Sequence, residues 1–150
     1  MRSNSIIVSL SFLSVVFLSA PAAHAQEEGP LSATTPGSRY VTVTKGPEEP
    51  ESIGSYALRL YRNSNPDFPA DEFIAGVVLP RDGSLLPLEW QDVTGDGEEE
   101  LIVRTESAGS GSYVSADAFS LGESEIVRVA SASGLEPDAD VVSALKDSAE

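Results

Sequence analysis

The chain has 150 residues, 24 acidic against 9 basic, a formal net charge of −15, no Cys and a single His. Without Cys there is no disulfide framework, thiolate nucleophile or zinc–sulfur site. The lone His24 stands in a leader-like segment, so Ser-His-Asp chemistry and imidazole metal sites are closed to the remainder. So negative a chain repels nucleic-acid phosphates and anionic lipid, and it suits a cationic protein or a divalent cation.

Met1–Ser5 carries Arg2 as a short positive start, and Ile6–Ala20 is an apolar run with scattered Ser. That run falls short of the ~20 residues a helix needs to span the hydrocarbon core. Pro21 breaks it, and Ala23-His24-Ala25 is the small-x-small pattern of a signal-peptidase site. Residues 1–25 therefore read as a cleaved signal peptide, which implies export. Their removal takes away Arg2 and no acid, leaving 125 residues at net −16. An exported chain without Cys fits a bacterial periplasm.

Residues 26–38 (QEEGPLSATTPGS) are polar and aperiodic, and they predict a flexible arm. Residues 39–150 are one domain's worth of chain. Arg39–Lys45 alternates as a strand, and Ser55–Arg62 alternates Tyr56, Leu58 and Leu60 inward. Asn63–Pro69 is a turn. Phe73–Leu79 is continuously apolar and β-branched, which predicts a central strand. Pro80-Arg81-Asp82-Gly83 carries the Asp-Gly signal of a hairpin. Leu86, Leu88 and Trp90 alternate, and Leu101–Thr105, Tyr113–Leu121 and Ile126–Ala130 complete the strands. The spacing predicts an all-β fold, an antiparallel sandwich of about seven or eight strands. Pro137–Asp147 alone has helical character, with Asp138 as its N-cap, Val141, Val142 and Leu145 on one face, and Lys146 in the last turn.

Asp92-Val93-Thr94-Gly95-Asp96-Gly97-Glu98-Glu99-Glu100 sets oxygen side chains at loop positions 1, 3, 5 and 9 with Gly at 6. Hard cations take oxygen ligands around tight turns, so Asp92, Thr94, Asp96 and Glu100 form a candidate weak Ca²⁺ site. The spacing resembles one copy of an FG-GAP calcium loop, while Val103 stands where an EF-hand needs Glu. Asp side chains equally well pin a β-turn by accepting from their own backbone, with nothing bound. No other cofactor is implied.

Ser107-Ala108-Gly109-Ser110-Gly111-Ser112-Tyr113 joins two strand patterns. Two glycines and three serines make a slender loop, and Tyr113 brings a stackable ring and a phenol to its rim. The alternative is an ordinary hairpin in which Tyr113 packs as the first strand residue.

The run Asp92–Gly97, Glu100–Val103 and Ser107–Phe119 resembles the periplasmic inhibitors of invertebrate-type lysozyme. Ser52–Tyr56, Arg59–Tyr61 and Phe73–Gly76 leading to Pro80–Gly83 resemble that family too. Together these stretches cover most of residues 51–130. The resemblance implies a β-sandwich that is not an enzyme and blocks the lysozyme cleft with its Ser/Tyr loop. Ser110, Gly111, Ser112 and Tyr113 would be the binding loop, with Arg128 as the assisting basic side chain. It implies lysozyme as partner, leaves a homodimer open, and gives no role to nucleic acid or membrane. Two rivals stand beside it. One is a calcium-dependent adhesion module built on the acidic turn. The other is a hydrolase using two of Asp92, Asp96, Glu100 and Asp117, or Ser110 with Lys45 or Lys146.

Overall fold

The computed structural model describes residues 31–149. The predicted signal peptide and the first part of the arm lie outside them. Nine strands form two antiparallel sheets, followed by one helix. The first sheet has the order β1 (Leu31–Thr34), β2 (Tyr40–Lys45), β3 (Ile53–Tyr61), β4 (Phe73–Asp82). The second runs β5 (Ser84–Leu85), β7 (Glu100–Glu106), β8 (Val114–Leu121), β9 (Ile126–Leu135), with β6 (Glu89–Gln91) also paired to β7.

The period-2 patterns aim their apolar side chains between the sheets. Val41 and Val43 on β2 face Leu60 and Leu58 on β3, and all four are fully buried. Val41, Val43 and Leu58 meet Leu101, Val103 and Phe119 from the opposite sheet, with Tyr56 beside them. Each such side chain contributes roughly 1.5–3 kcal/mol by leaving water.

A second, smaller core lies on the outer face of the second sheet. There α1 (Val141–Ser148) covers Val93, Ile102, Ala116, Ala118 and Ala130, with Leu145 completely buried at the centre. The alanines of β8 and β9 leave room for the helix to approach. Its N-cap is Asp140, not Asp138 as the sequence suggested. The Asp140 carboxylate accepts the Ser143 N–H at 3.0 Å, while Asp138 lies two residues outside.

Several elements depart from their sequence reading. Leu31–Thr34, assigned to the flexible arm, is an edge strand held by full pairing with β2. Phe73–Leu79 was expected to be central, but β4 is an edge strand, and Phe73 and Val78 are 62% and 66% exposed. Asp82-Gly83 is not a hairpin. It is a corner that passes the chain from β4 in one sheet to β5 in the other, with Gly83 at φ +97° and its N–H given to the Ser52 carbonyl at 3.0 Å. The Leu86–Trp90 alternation is interrupted at Pro87, which has no N–H for the ladder, so two short strands replace one. β9 runs five residues further than predicted, through Ser131–Leu135.

Two buried or half-buried arginines tie loops at opposite ends of β3. At the Tyr61 end, Arg39 donates to the carbonyls of Leu121 and Gly122 in the β8–β9 turn and so links the sheets. At the Ile53 end, Arg81 is 2% exposed and donates to the carbonyls of Glu51 (2.7 Å), Pro50 (2.9 Å), Ser55 (3.3 Å) and Gly83. Glu49 sits against the same loop and accepts from the Ser55 N–H and hydroxyl, with Arg81 nearby. These bonds, first of all the one from the Ser55 amide, hold its carboxyl below the usual range. No helix of the described residues is long and apolar enough to cross a membrane.

Candidate functional site

The Ser/Gly loop projects from one end of the sandwich, between Glu106 of β7 and Val114 of β8. Its base is closed by the Ser107 N–H donating to the Tyr113 carbonyl at 2.8 Å. Inside it, Ser112 N–H donates to the Gly109 carbonyl at 3.2 Å and Gly109 N–H to the Ser107 hydroxyl at 3.3 Å. Ala108, Gly109 and Ser110 are exposed at the tip, while Gly111 and Ser112 are half-buried. Tyr113 is 45% exposed and lies outside both apolar cores. Its ring rests on Gly111, where a β-carbon would come within 2.8 Å of Tyr113 Cδ2. Gly111 thus gives the ring its seat. The loop carries no charge between Ser107 and Tyr113. It offers a ring, a phenol and three serine hydroxyls, groups that both donate to and accept from a partner.

Arg128 does not join this loop. It pairs with Phe119 across the β8–β9 ladder, whereas Val114 at the loop base pairs with Leu135. Five strand steps separate the two levels, about 16 Å. The Arg128 guanidinium instead bonds Asp117 Oδ1 at 3.3 Å, and Asp117 Oδ2 accepts from the buried Tyr56 hydroxyl at 2.7 Å. Burial, reinforced by that hydrogen bond to a carboxylate, pushes the Tyr56 phenol well above its ordinary value. Tyr56 therefore stays a donor and ties β3 in one sheet to β8 in the other. Asp117, read from the sequence as a hydrolase candidate, is committed to this bridge.

Arg104 is a half-buried basic side chain that the sequence reading did not name. It stands on β7 three residues before Ser107 and pairs with Glu89 at 2.5 Å, and its Nε is buried without a partner. The only signal was a cation directly after the apolar run Leu101–Val103.

In the acidic turn the carboxylates accept from the turn itself. Asp92 takes the N–H groups of Gly95 (2.6 Å) and Gly97 (3.0 Å), and Asp96 takes that of Glu98 (2.8 Å). Glu100 is 2% exposed and accepts from Val93 N–H (2.7 Å), Thr94 N–H (3.3 Å) and the Thr94 hydroxyl (3.2 Å). Asp92, Thr94, Asp96 and Glu100 are brought together, then, as a network that folds the turn. Among the described residues no group of three or more His, Cys, Asp or Glu is placed to hold a metal ion. Lys45, one partner proposed for Ser110, is ion-paired with Glu51.

An antiparallel sandwich with a slender, uncharged hydroxyl-and-aromatic loop at one end has the form of a binding module. The sequence match is specific. Residues 27–149 match the family model described as periplasmic lysozyme inhibitor of I-type lysozyme, and the chain belongs to that family. No curated protein matches it. A crystal structure of the Aeromonas hydrophila inhibitor of I-type lysozyme is 50% identical with a TM-score of 0.74, covering 78% of this chain and 98% of that one. A second crystal structure holds the Aeromonas hydrophila protein in complex with Meretrix lusoria lysozyme. It is 52% identical with a TM-score of 0.71, covering 77% of this chain and 93% of that one.

Proposed function

We propose that this chain is an exported, periplasmic inhibitor of I-type lysozyme that occupies the enzyme's cleft with its Ser107–Tyr113 loop. The observation that carries this is the 52% identity to a protein crystallised with a lysozyme, over 93% of that protein's length. The chemistry agrees. Lysozymes cut with two carboxyl groups beside the glycosidic bond, one of them held protonated. A loop that carried its own acid would be repelled there, and this one is uncharged. Serine and tyrosine hydroxyls donate to the ionised carboxylate and accept from the protonated one. Each hydrogen bond to a charged group is worth about 1.5–3 kcal/mol. The acidic remainder attracts a basic enzyme over distances of a Debye length or so. The chain acts by occupying the cleft and carries out no chemistry of its own.

Turbidity clearing of a cell-wall suspension by an invertebrate-type, a chicken-type and a goose-type lysozyme tests this directly. The mature protein should block the invertebrate-type enzyme at near-stoichiometric amounts, with or without EDTA. Unimpeded clearing at a large molar excess would refute the proposal. Inhibition that disappears in EDTA would move the activity to the acidic turn.

A further inference from the structure

The loop's setting contains a second device. Gly83, at the corner between β4 and β5, packs directly under the point where β7 turns into the Ser/Gly loop. A β-carbon at Gly83 would collide with the Glu106 carbonyl and come within 2.7 Å of the Ser107 α-carbon. The three nearest obstacles are all backbone atoms, so no side chain could swing away to make room. The residue also has φ +97°, a conformation that other residues adopt only under strain. Glu106 is the last residue of β7 and pairs with Ser84, and Ser107 begins the loop whose base it closes through Tyr113. The corner and the loop root are therefore one contact.

That corner is not free to yield. Its carbonyl at Gly83 is held by the Arg81 guanidinium, and its N–H at Gly83 is given to Ser52. The same guanidinium grips Pro50 and Glu51, so one buried cation fixes both the corner and the neighbouring loop. A planar five-donor group is suited to several carbonyls at once, which a lysine ammonium is not. Arg81 serves no partner from the solvent: it is 2% exposed and its donors face inward to main chain.

We propose that the Arg81-clamped Asp82–Gly83 corner is the abutment that sets the direction of the Ser107–Tyr113 loop, making Gly83 and Arg81 positioning residues for inhibition. This rests on the loop being the inhibitory element. A loop already held at its bound angle gives up less conformational freedom on association, so affinity depends on the abutment as well as on the groups at the tip.

The test uses the full mature protein and its Gly83→Ala variant, with Arg81→Lys as a second variant should the first fail to fold. Amide hydrogen exchange is the readout that needs no lysozyme. The Ser107 and Ser112 amides should exchange at least about tenfold faster in the variant, while amides of β2 and β3 keep their protection. Affinity for an invertebrate-type lysozyme should fall about tenfold or more. In a Gly83→Ala/Tyr113→Ala protein the two losses should be less than additive. Leu145→Ala, which weakens the distant helix core, supplies a control of lowered stability and should retain parental affinity. Loop amides unchanged in Gly83→Ala and Arg81→Lys would overturn the abutment whatever the inhibitory element is. So would an affinity within twofold of the parent, or losses fully additive with Tyr113→Ala. An unaffected lysozyme in the presence of the parent protein, with loop amides loosened in the variants, would instead remove the inhibitory reading and leave the abutment standing.

Discussion

Tyr113→Ala separates the loop from the fold. Tyr113 is 45% exposed, and its ring rests on Gly111 rather than in either core. An aromatic side chain carries on the order of 200 Å² of surface, so about 90 Å² remains to be covered by a partner. At ~25 cal/mol per Å² that is about 2 kcal/mol, or roughly 30-fold in affinity. The cost to stability should be no more than about 1 kcal/mol, because the lost contacts lie within the loop. A melting temperature within a few degrees of the parent is the corresponding expectation. Ser110→Ala should act in the same direction at smaller size, and the double variant should lose less than the sum if both groups fill one cleft. Isothermal calorimetry with an invertebrate-type lysozyme and a thermal melt of the same samples give both numbers. Unchanged affinity for Tyr113→Ala would refute the loop as the binding element. A melting temperature lowered by ten degrees or more would show that the ring supports the fold instead.

Three further outcomes follow from the cores and the turn. Leu145→Ala removes a fully buried side chain from beneath the helix and should cost about 3 kcal/mol, visible as a lower midpoint in urea, with inhibition intact on the folded fraction. Glu100→Ala leaves the Val93 amide without a buried partner and should destabilise by about 2 kcal/mol, whereas Asp92→Asn and Asp96→Asn should leave inhibition unchanged; loss of inhibition in these last two would make the acidic turn functional. The raised pKa of Tyr56 sets the sign at high pH. Its phenol stays protonated in the folded state while the unfolded chain ionises near pH ~10, so its contribution is complete below that pH and declines by about 1.4 kcal/mol per unit above it. Denaturation midpoints measured from pH 8 to 11 should fall less steeply for Tyr56→Phe than for the parent, and equal slopes would contradict the assignment.

Much of the architecture can be read along the chain where a strand has one wet and one dry face. Val41 and Val43, then Tyr56, Leu58 and Leu60, announce their burial by alternation alone. β1 does not, because LSAT has no strong pattern of its own and is ordered by the ladder it makes with β2. β4 misleads for the opposite reason. Its apolar run looks like a strand covered on both faces, yet the outward Phe73 and Val78 have no described layer above them. The loop was visible as composition, since Gly and Ser between two strand patterns require a turn. What stands beside it was not. That Arg128 stands at the level of Phe119 and bonds Asp117 is decided by register, and a single chain carries no record of which residues face each other across a ladder. The Gly83 contact is hidden in the same way, because Asp-Gly signals a tight turn and is silent about what the turn touches.

The two arginine ties have a consequence for where such a protein can work. Exported domains of this size commonly rely on sulfur cross-links, whose integrity follows the redox state of the surroundings. Here each pole is fastened by a guanidinium seated among main-chain oxygens, Arg39 at one and Arg81 at the other. A guanidinium has no bond that a thiol can reduce and keeps its proton far beyond physiological alkalinity. The fastenings are thus indifferent to glutathione, to oxidant bursts and to acidified fluids, the chemical weather that an envelope protein meets when its cell is under attack. They also require no thiol oxidase or disulfide isomerase to form.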